Sequence, residues 1–261
     1  MNKTSPKIQT FDPNEHGRDF VVGDIHGCYF ELEKKLKENN FNKEVDRLFS
    51  VGDLMDRGPY GEKCFSLLQE PWFNAVMGNH ELLWYYAHMR YSASDRYIFL
   101  QNGGEMIHEE DKVRQFSSLI ESLPLMIEIT LPSGKKVGII HAEIHPRISS
   151  WSVAREQLLK DNNVMINAAF DEHPTGHLLW GRSRIKTFRN HDEDENYYNE
   201  IEDIDEIFCG HTIMVDPIKI KNVNYIDCGA FIPHWLSERQ IEKRKKAGKL
   251  KEARLIMQEL K

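Results

Sequence analysis

Short apolar runs that end in glycine and a polar side chain punctuate the first third of the chain. Phe20-Val21-Val22 precedes Gly23-Asp24-Ile25-His26-Gly27. Leu48-Phe49-Ser50-Val51 precedes Gly52-Asp53-Leu54-Met55-Asp56-Arg57-Gly58, and Ala75-Val76-Met77 precedes Gly78-Asn79-His80-Glu81. Such runs suit buried strands that turn into loops. Between them, Phe30 to Lys37 has apolar residues near helical spacing, and Gly61 to Gln69 reads as a second helix. Strands alternating with helices are the α/β signature. Asp24 to Asp53 is a step of 29 residues and Asp53 to His80 a step of 27. Each step fits one strand–helix–strand unit, so the three loops should converge on one edge of a sheet.

Further along, Glu81 to about Phe99 reads as an aromatic-rich helix that Asn102-Gly103-Gly104 breaks, and Lys112 to Ser122 as another that stops before Pro124. Leu125 to Leu131 and Lys136 to Ile140 flank Pro132-Ser133-Gly134-Lys135, the pattern of a hairpin. Ile204 to Phe208 and Val223 to Ile226 are later strands. From Asp192 to Glu206 there are nine acidic residues and no lysine or arginine. From Glu238 to Lys261 there are nine basic residues against four acidic ones. Leu250, Ala253, Met257 and Leu260 lie there at helical spacing, which predicts a terminal amphipathic helix with Gly248 as an interruption. The expected organisation is a loose lead-in over 1–17, a catalytic domain over 18–234 and a basic helical extension over 235–261.

The 261 residues suffice for one large domain with a full core. Hydrophobic residues at 40% and charged residues at 29% describe an ordinary globular chain. A formal charge of −7 argues against a general nucleic-acid binder. Cys28, Cys64, Cys209 and Cys228 are scattered, with no CxxC pair and no disulfide framework. The first seventeen residues lack the apolar core of a signal peptide, and no apolar stretch is long enough to span a bilayer. A reduced, cytoplasmic setting without membrane partners is expected.

Two more histidines end apolar runs, in Ile139-Ile140-His141-Ala142 and Ile207-Phe208-Cys209-Gly210-His211. Two divalent cations held close together need a shared ligand, and the carboxylate of Asp53, central in the series, suits that task. Asp24 and His26 could complete one site; Asn79, His141 and His211 could complete the other. Oxygen and imidazole donors suit manganese, iron or zinc better than calcium or magnesium. Such a pair clamps both ends of an in-line phosphoryl displacement.

This set of motifs resembles the metallophosphoesterase superfamily, and within it the phosphoprotein phosphatases of bacteriophage lambda and enteric bacteria. The resemblance runs from about Phe20 to Ala230. It includes Pro71-Trp72-Phe73, Leu123-Pro124-Leu125, Trp180-Gly181-Arg182, Gly210-His211-Thr212 and Tyr225-Ile226-Asp227-Cys228-Gly229-Ala230. It implies a β-sandwich of mixed sheets flanked by helices, with an additional C-terminal helix in this chain. It implies that Asp24, His26 and Asp53 bind the first metal, and Asp53, Asn79, His141 and His211 the second, most often manganese. A hydroxide bridging the metals would attack phosphorus directly. His80 would be the general acid, with Asp56 orienting it and stabilising the imidazolium. Arg57 and Arg182 would hold the phosphate oxygens through forked hydrogen bonds. The implied substrate is a phosphoserine or phosphothreonine protein or peptide, with phosphotyrosine as an extension. Symmetrical dinucleoside tetraphosphate hydrolysis, or another small phosphoester reaction, is the alternative on the same core; a non-catalytic metal-binding scaffold ranks below both.

Plainer roles compete at single positions. Asp24 and Asp53 could cap helices. Arg184, two residues after Arg182, could reach the site instead. His145 reads as a loop residue, and His108, His173, His177 and His191 as surface groups. The acidic run over 192–206 reads as a solvated loop that could repel acidic peptides. The chain also departs from the lambda-like pattern. After Ala230 a further strand is expected, whereas Phe231-Ile232-Pro233-His234-Trp235 leads into the charged tail, leaving a sheet edge to be covered or exposed.

Overall fold

The computed structural model describes residues 7–190 and 199–261. The strands are β1 (Ile8–Phe11), β2 (Asp19–Val22), β3 (Arg47–Ser50), β4 (Phe73–Ala75), β5 (Met126–Thr130), β6 (Lys136–Ile139), β7 (Glu206–Cys209), β8 (Ile218–Ile220), β9 (Val223–Tyr225) and β10 (Met257–Glu259). The helices are α1 (Tyr29–Glu38), α2 (Gly61–Ser66), α3 (Asn79–Met89), α4 (Ala93–Gln101), α5 (Glu110–Ser122), α6 (Trp151–Lys160), α7 (Val164–Asn167), α8 (Pro174–Trp180), α9 (Ser183–Asn190), α10 (Ile232–Trp235) and α11 (Glu238–Lys246). A short 3-10 turn, Leu67–Gln69, follows α2.

Two mixed sheets result, one of six strands in the order β1-β5-β6-β7-β9-β8 and one of four in the order β10-β2-β3-β4. In the smaller sheet β2, β3 and β4 are parallel. In the larger one β6, β7 and β9 are parallel, and β5 meets β6 antiparallel through the expected hairpin. Strand alternation splits the core. Val21, Phe49, Ile127, Ile129, Val137, Ile139 and Phe208 form one cluster that draws on both sheets. Their neighbours Phe20, Leu48, Met126 and Ile207 belong to the cluster that includes the flanking helices. Sheets apolar on both faces read as near-continuous hydrophobic runs, which is why the central strands β2, β3, β5, β6 and β7 were visible in the sequence. At Gly138 an added Cβ would lie 2.5 Å from the Trp151 ring, so a glycine lets α6 pack flat against β6.

Several expectations need correction. The lead-in is not peripheral throughout: Ile8–Phe11 is an edge strand parallel to β5, and Phe11 packs edge-on against Phe49 at 4.9 Å. The helix expected over 81–99 is two helices. Tyr91 turns left-handed at φ 53°, and the Ser92 hydroxyl then caps α4 by accepting from the Asp95 amide. The C-terminal helix stops at Lys246. Gly248 has φ +65°, and the Lys249 amide donates back to the Arg244 carbonyl, a Schellman ending. Leu250 and Leu260 are buried, but from a returning chain whose β10 pairs antiparallel with β2. The sheet edge thought to be missing its strand is therefore paired. The acidic run lies partly outside the described residues, as does His191. The described part is anchored rather than solvated throughout, since Ile201 and Ile204 are buried.

Candidate metal centre

The five motif loops leave the carboxyl ends of β2, β3 and β4 in one sheet and of β6 and β7 in the other. They meet where the two parallel sets end together. The backbone is bent hard to achieve this. Among the described residues, the non-glycine positions with positive φ include His26 (43°), Asp53 (51°), Asp56 (69°), Arg57 (68°) and His211 (63°). Left-handed backbone is costly for such residues, and its concentration in these loops marks a site whose side chains are aimed. Asp24 and Asp53 do not cap the helices that follow them in sequence: α1 is preceded by Cys28 and α2 by Tyr60.

Asp53 lies at the middle. Its Oδ2 is 3.3 Å from His26 Nε2, its Oδ1 is 3.5 Å from His141 Nε2, and its Oδ1 accepts the His80 amide at 3.0 Å. Asn79 Oδ1 lies 2.8 Å from His141 Nε2 and 2.9 Å from His211 Nδ1. Both Asp24 oxygens accept the His211 amide, at 3.2 and 3.0 Å. Asp24, His26, Asp53, Asn79, His141 and His211 are all buried.

The donor set fits a cation. Burial lowers the pKa of His26 and His141, so both rings are neutral at neutral pH. Each spends Nδ1–H on a backbone carbonyl, Met55 at 2.9 Å and Val51 at 2.8 Å. That fixes the tautomer and leaves each Nε2 an acceptor. The His26 Nε2 lies beside the Asp53 carboxylate and is met by the Arg57 guanidinium, whereas the His141 Nε2 faces the Asn79 carbonyl oxygen. At His141 an acceptor faces an acceptor, an unfavourable arrangement that a divalent ion resolves. His80 Nε2 and His211 Nε2 are buried without a hydrogen-bond partner among the described residues. Asp24, Asp53 and His141 also offer ligand atoms within 4.8 Å of one another, as do His26, Asp53 and His80. The carboxyls show the same frustration. Burial, with Asp227 and Asp53 beside it, pushes Asp24 well up, and burial pushes Asp227 up to about 6. Asp53 is the exception: burial opposes its charge, yet proton charge on His141, His80 and His26 at the acid pH where a carboxyl titrates, with the His80 amide bond, holds it well below its usual range.

At the rim, His80 Nδ1 is 2.7 Å from Asp56 Oδ2. Burial pushes the Asp56 carboxyl up, and its bond to His80 works against that. Arg57 donates from Nη1 to His26 Nε2 at 2.9 Å, and its guanidinium lies over Phe231 (4.5 Å) and Trp235 (5.1 Å). The glycine turn Asn102-Gly103 receives Arg57 through two carbonyls, from its amide at 3.1 Å and from Nε at 3.3 Å. Arg182 points inward to the His211 carbonyl at 3.5 Å. Arg184 Nη1 donates instead to the Asn199 carbonyl at 3.2 Å. Beside Arg182, a groove of about 470 Å³ runs between α3, α4 and Trp180, lined by Leu83, Tyr86, Asp95, Ile98 and Asp171.

Two buried glutamates escaped the sequence reading. Glu81 takes three backbone amides: Oε2 accepts from Asp53 (2.9 Å) and Gly78 (2.8 Å), Oε1 from Leu54 (2.8 Å). It fastens the β3 loop to the start of α3, and at Gly78 an added Cβ would fall 2.2 Å from Asp53 Oδ1. Glu143 accepts from the amides of Arg184 (2.7 Å) and Ile185 (3.0 Å) and from the Tyr225 hydroxyl (2.8 Å). It ties the His141 loop to the chain that carries Arg182. His177, expected at the surface, is buried, with Nδ1 2.9 Å from Asp171 and Nε2 2.9 Å from Ser183 Oγ.

Comparison with known proteins agrees with this geometry. The calcineurin-like phosphoesterase family profile matches residues 20–214. Serine/threonine-protein phosphatase 1 of Salmonella typhimurium is 32% identical over 216 residues, covering 81% of this chain and 86% of the relative. A symmetrical bis(5'-nucleosyl)-tetraphosphatase of Erwinia tasmaniensis is 34% identical over 143 residues, covering 53% of this chain and 47% of that protein. A solved structure described as a candidate diadenosine tetraphosphatase superposes with a TM-score of 0.55 at 21% identity, covering 86% of this chain and 88% of the other. A hydrolase fold, a hydrolase's relatives and a converging set of metal-type donors leave one assignment: the chain belongs to the calcineurin-like phosphoesterases, and it is a metallophosphoesterase.

Proposed function

We propose that this metallophosphoesterase removes phosphate from phosphoserine and phosphothreonine in proteins, with phosphotyrosine as a further substrate. One observation carries the reading: donors from two sheets converge on Asp53 and Asn79, with the His80–Asp56 pair and two arginines at the rim. Asp24, His26 and Asp53 would hold one divalent ion; Asp53, Asn79, His141 and His211 would hold the second. Manganese suits these oxygen and nitrogen donors, with iron and zinc as further candidates. When bound, the ions supply Lewis-acid activation of phosphate and of water, which attacks phosphorus without a phosphoenzyme.

The chain's own residues do the rest. Arg57, steadied by the Asn102-Gly103 carbonyls and two aromatic rings, grips phosphate oxygens from one side. Arg182 grips from the other. His80 commits Nδ1 to Asp56 and keeps Nε2 for the departing alkoxide, to which it gives a proton. The Asp56 carboxylate stabilises the imidazolium that this requires.

A protein substrate is favoured because the phosphatase relative aligns over most of both chains, whereas the tetraphosphatase relative aligns over about half. The groove beside Arg182 offers room for residues flanking a phosphorylated side chain. Hydrolysis of symmetrical dinucleoside tetraphosphates is the second reading, supported by that relative and by the fold neighbour. Phosphopeptide and diadenosine tetraphosphate assayed side by side under manganese separate the two. Preference for the dinucleotide would overturn the first reading. The chain has no helix among the described residues long and apolar enough to cross a membrane, and its four cysteines are free thiols. Both features suit the cytoplasmic, reducing setting we infer.

A further inference from the structure

We propose that Cys28, Glu31 and His234 form a separate site for one thiophilic divalent ion of the zinc class. Cys28 immediately precedes α1, and Glu31 is in its first turn. Their spacing of three residues puts both side chains on one face of that turn. His234, on α10, brings an imidazole across from the other end of the chain, with Nε2 3.1 Å from Glu31 Oε1. One ligand atom from each of the three lies within 4.8 Å of the other two. A tetrahedral ion with bonds of about 2.0–2.3 Å to sulfur, nitrogen and oxygen requires such separations.

The chemistry is distinct from that of the main centre. There the donors are carboxylate, amide and imidazole; here a sulfur joins them, which selects softer ions. Among the described residues, the Cys28 thiol donates to the His26 carbonyl over a long 3.7 Å. On binding, the S–H bond breaks, the proton leaves to solvent and a sulfur–metal bond forms, with water as a fourth ligand. The position gives the site a consequence. α10 follows Phe231 and ends in Trp235, the two rings that flank Arg57. An ion joining α1 to α10 would clamp that aromatic support in place. The inference holds whether or not the substrate reading above is right.

Cobalt(II) titration of the full chain tests it. A cobalt–thiolate bond gives a near-ultraviolet charge-transfer band, and the main centre has no sulfur ligand to produce one. The expected result is a band whose final amplitude corresponds to one thiolate-bound cobalt per chain, whatever cobalt the main centre takes up, and which is abolished by zinc and persists in Cys64→Ser. It should vanish in Cys28→Ser. Because Cys28 is buried, His234→Ala is the companion variant: its exposed side chain can be removed without opening the core, and it should weaken cobalt binding at least tenfold. No band in the wild type, a band that survives Cys28→Ser, or an unchanged affinity in His234→Ala would each overturn the proposal.

Discussion

Glu81→Gln tests whether this glutamate organises the site. Glutamine has one carbonyl oxygen, which can keep the Asp53 and Gly78 amides that now donate to Oε2. Its NH2 then faces the Leu54 amide, now bound to Oε1 at 2.8 Å. Orphaning one buried donor costs about 1–3 kcal/mol. The two surviving bonds lose charge assistance, about 1 kcal/mol each. The sum is about 3–5 kcal/mol. An opposing term exists in the metal-free chain. Burial and the Asp53 charge push the Glu81 carboxyl up to about 7 from an ordinary 4.5. Keeping it ionised at pH 8 therefore costs on the order of 3 kcal/mol, which glutamine does not incur. Cations beside Asp53 would cancel most of that cost. The variant should thus lose about 0–2 kcal/mol in chelator but about 3–5 kcal/mol with manganese. At about 2–4 °C per kcal/mol for a chain of this size, the manganese-loaded form should drop by on the order of 10 °C and the metal-free form by only a few degrees. Thermal melts at pH 8, with and without manganese, measure both. Equal shifts in the two states would refute the reasoning.

Replacing His80 by Asn should leave metal content intact while turnover falls about 10²–10⁴-fold, the usual span for a general acid; stopped assays beside metal analysis check it, and an unaffected rate would point to another proton donor. Glu143→Gln should loosen Arg182 without touching it, raising KM for a phosphopeptide more than it lowers kcat, and steady-state kinetics would show an unchanged KM if Glu143 were only a core residue.

The residues that gather around Asp53 were legible as candidates because each sits in a loop leaving a short apolar strand, and the series of such loops brings them to one end of the sheets. Asp24, Asp53 and His141 stand out from their flanking residues, and it is their order along the chain that singles them out as a set. Glu81 and Glu143 were hidden because their partners lie far off: Glu81 binds Asp53 across 28 positions and Glu143 binds Tyr225 across 82. Single-residue polarity carries no sign of such a joint. The edges of the fold were also hard to read. Ile8–Phe11 reads Ile-Gln-Thr-Phe and Met257–Glu259 reads Met-Gln-Glu, so neither edge strand shows the continuous apolar run that marks β2 or β3. In the tail, buried residues happened to fall at helical spacing, and the pairing with β2 decided the outcome. His177 was read as a surface group because its burial depends on how α8 meets α9, which no local window contains.

Metal analysis of the manganese-loaded chain tests the central claim most directly, since manganese prefers oxygen and imidazole to the thiolate of Cys28. Two ions per chain in the wild type, and loss of both together in Asp53→Asn, are the predicted results. One ion or none in the wild type, or a single ion retained after Asp53→Asn, would contradict a centre built around that carboxylate.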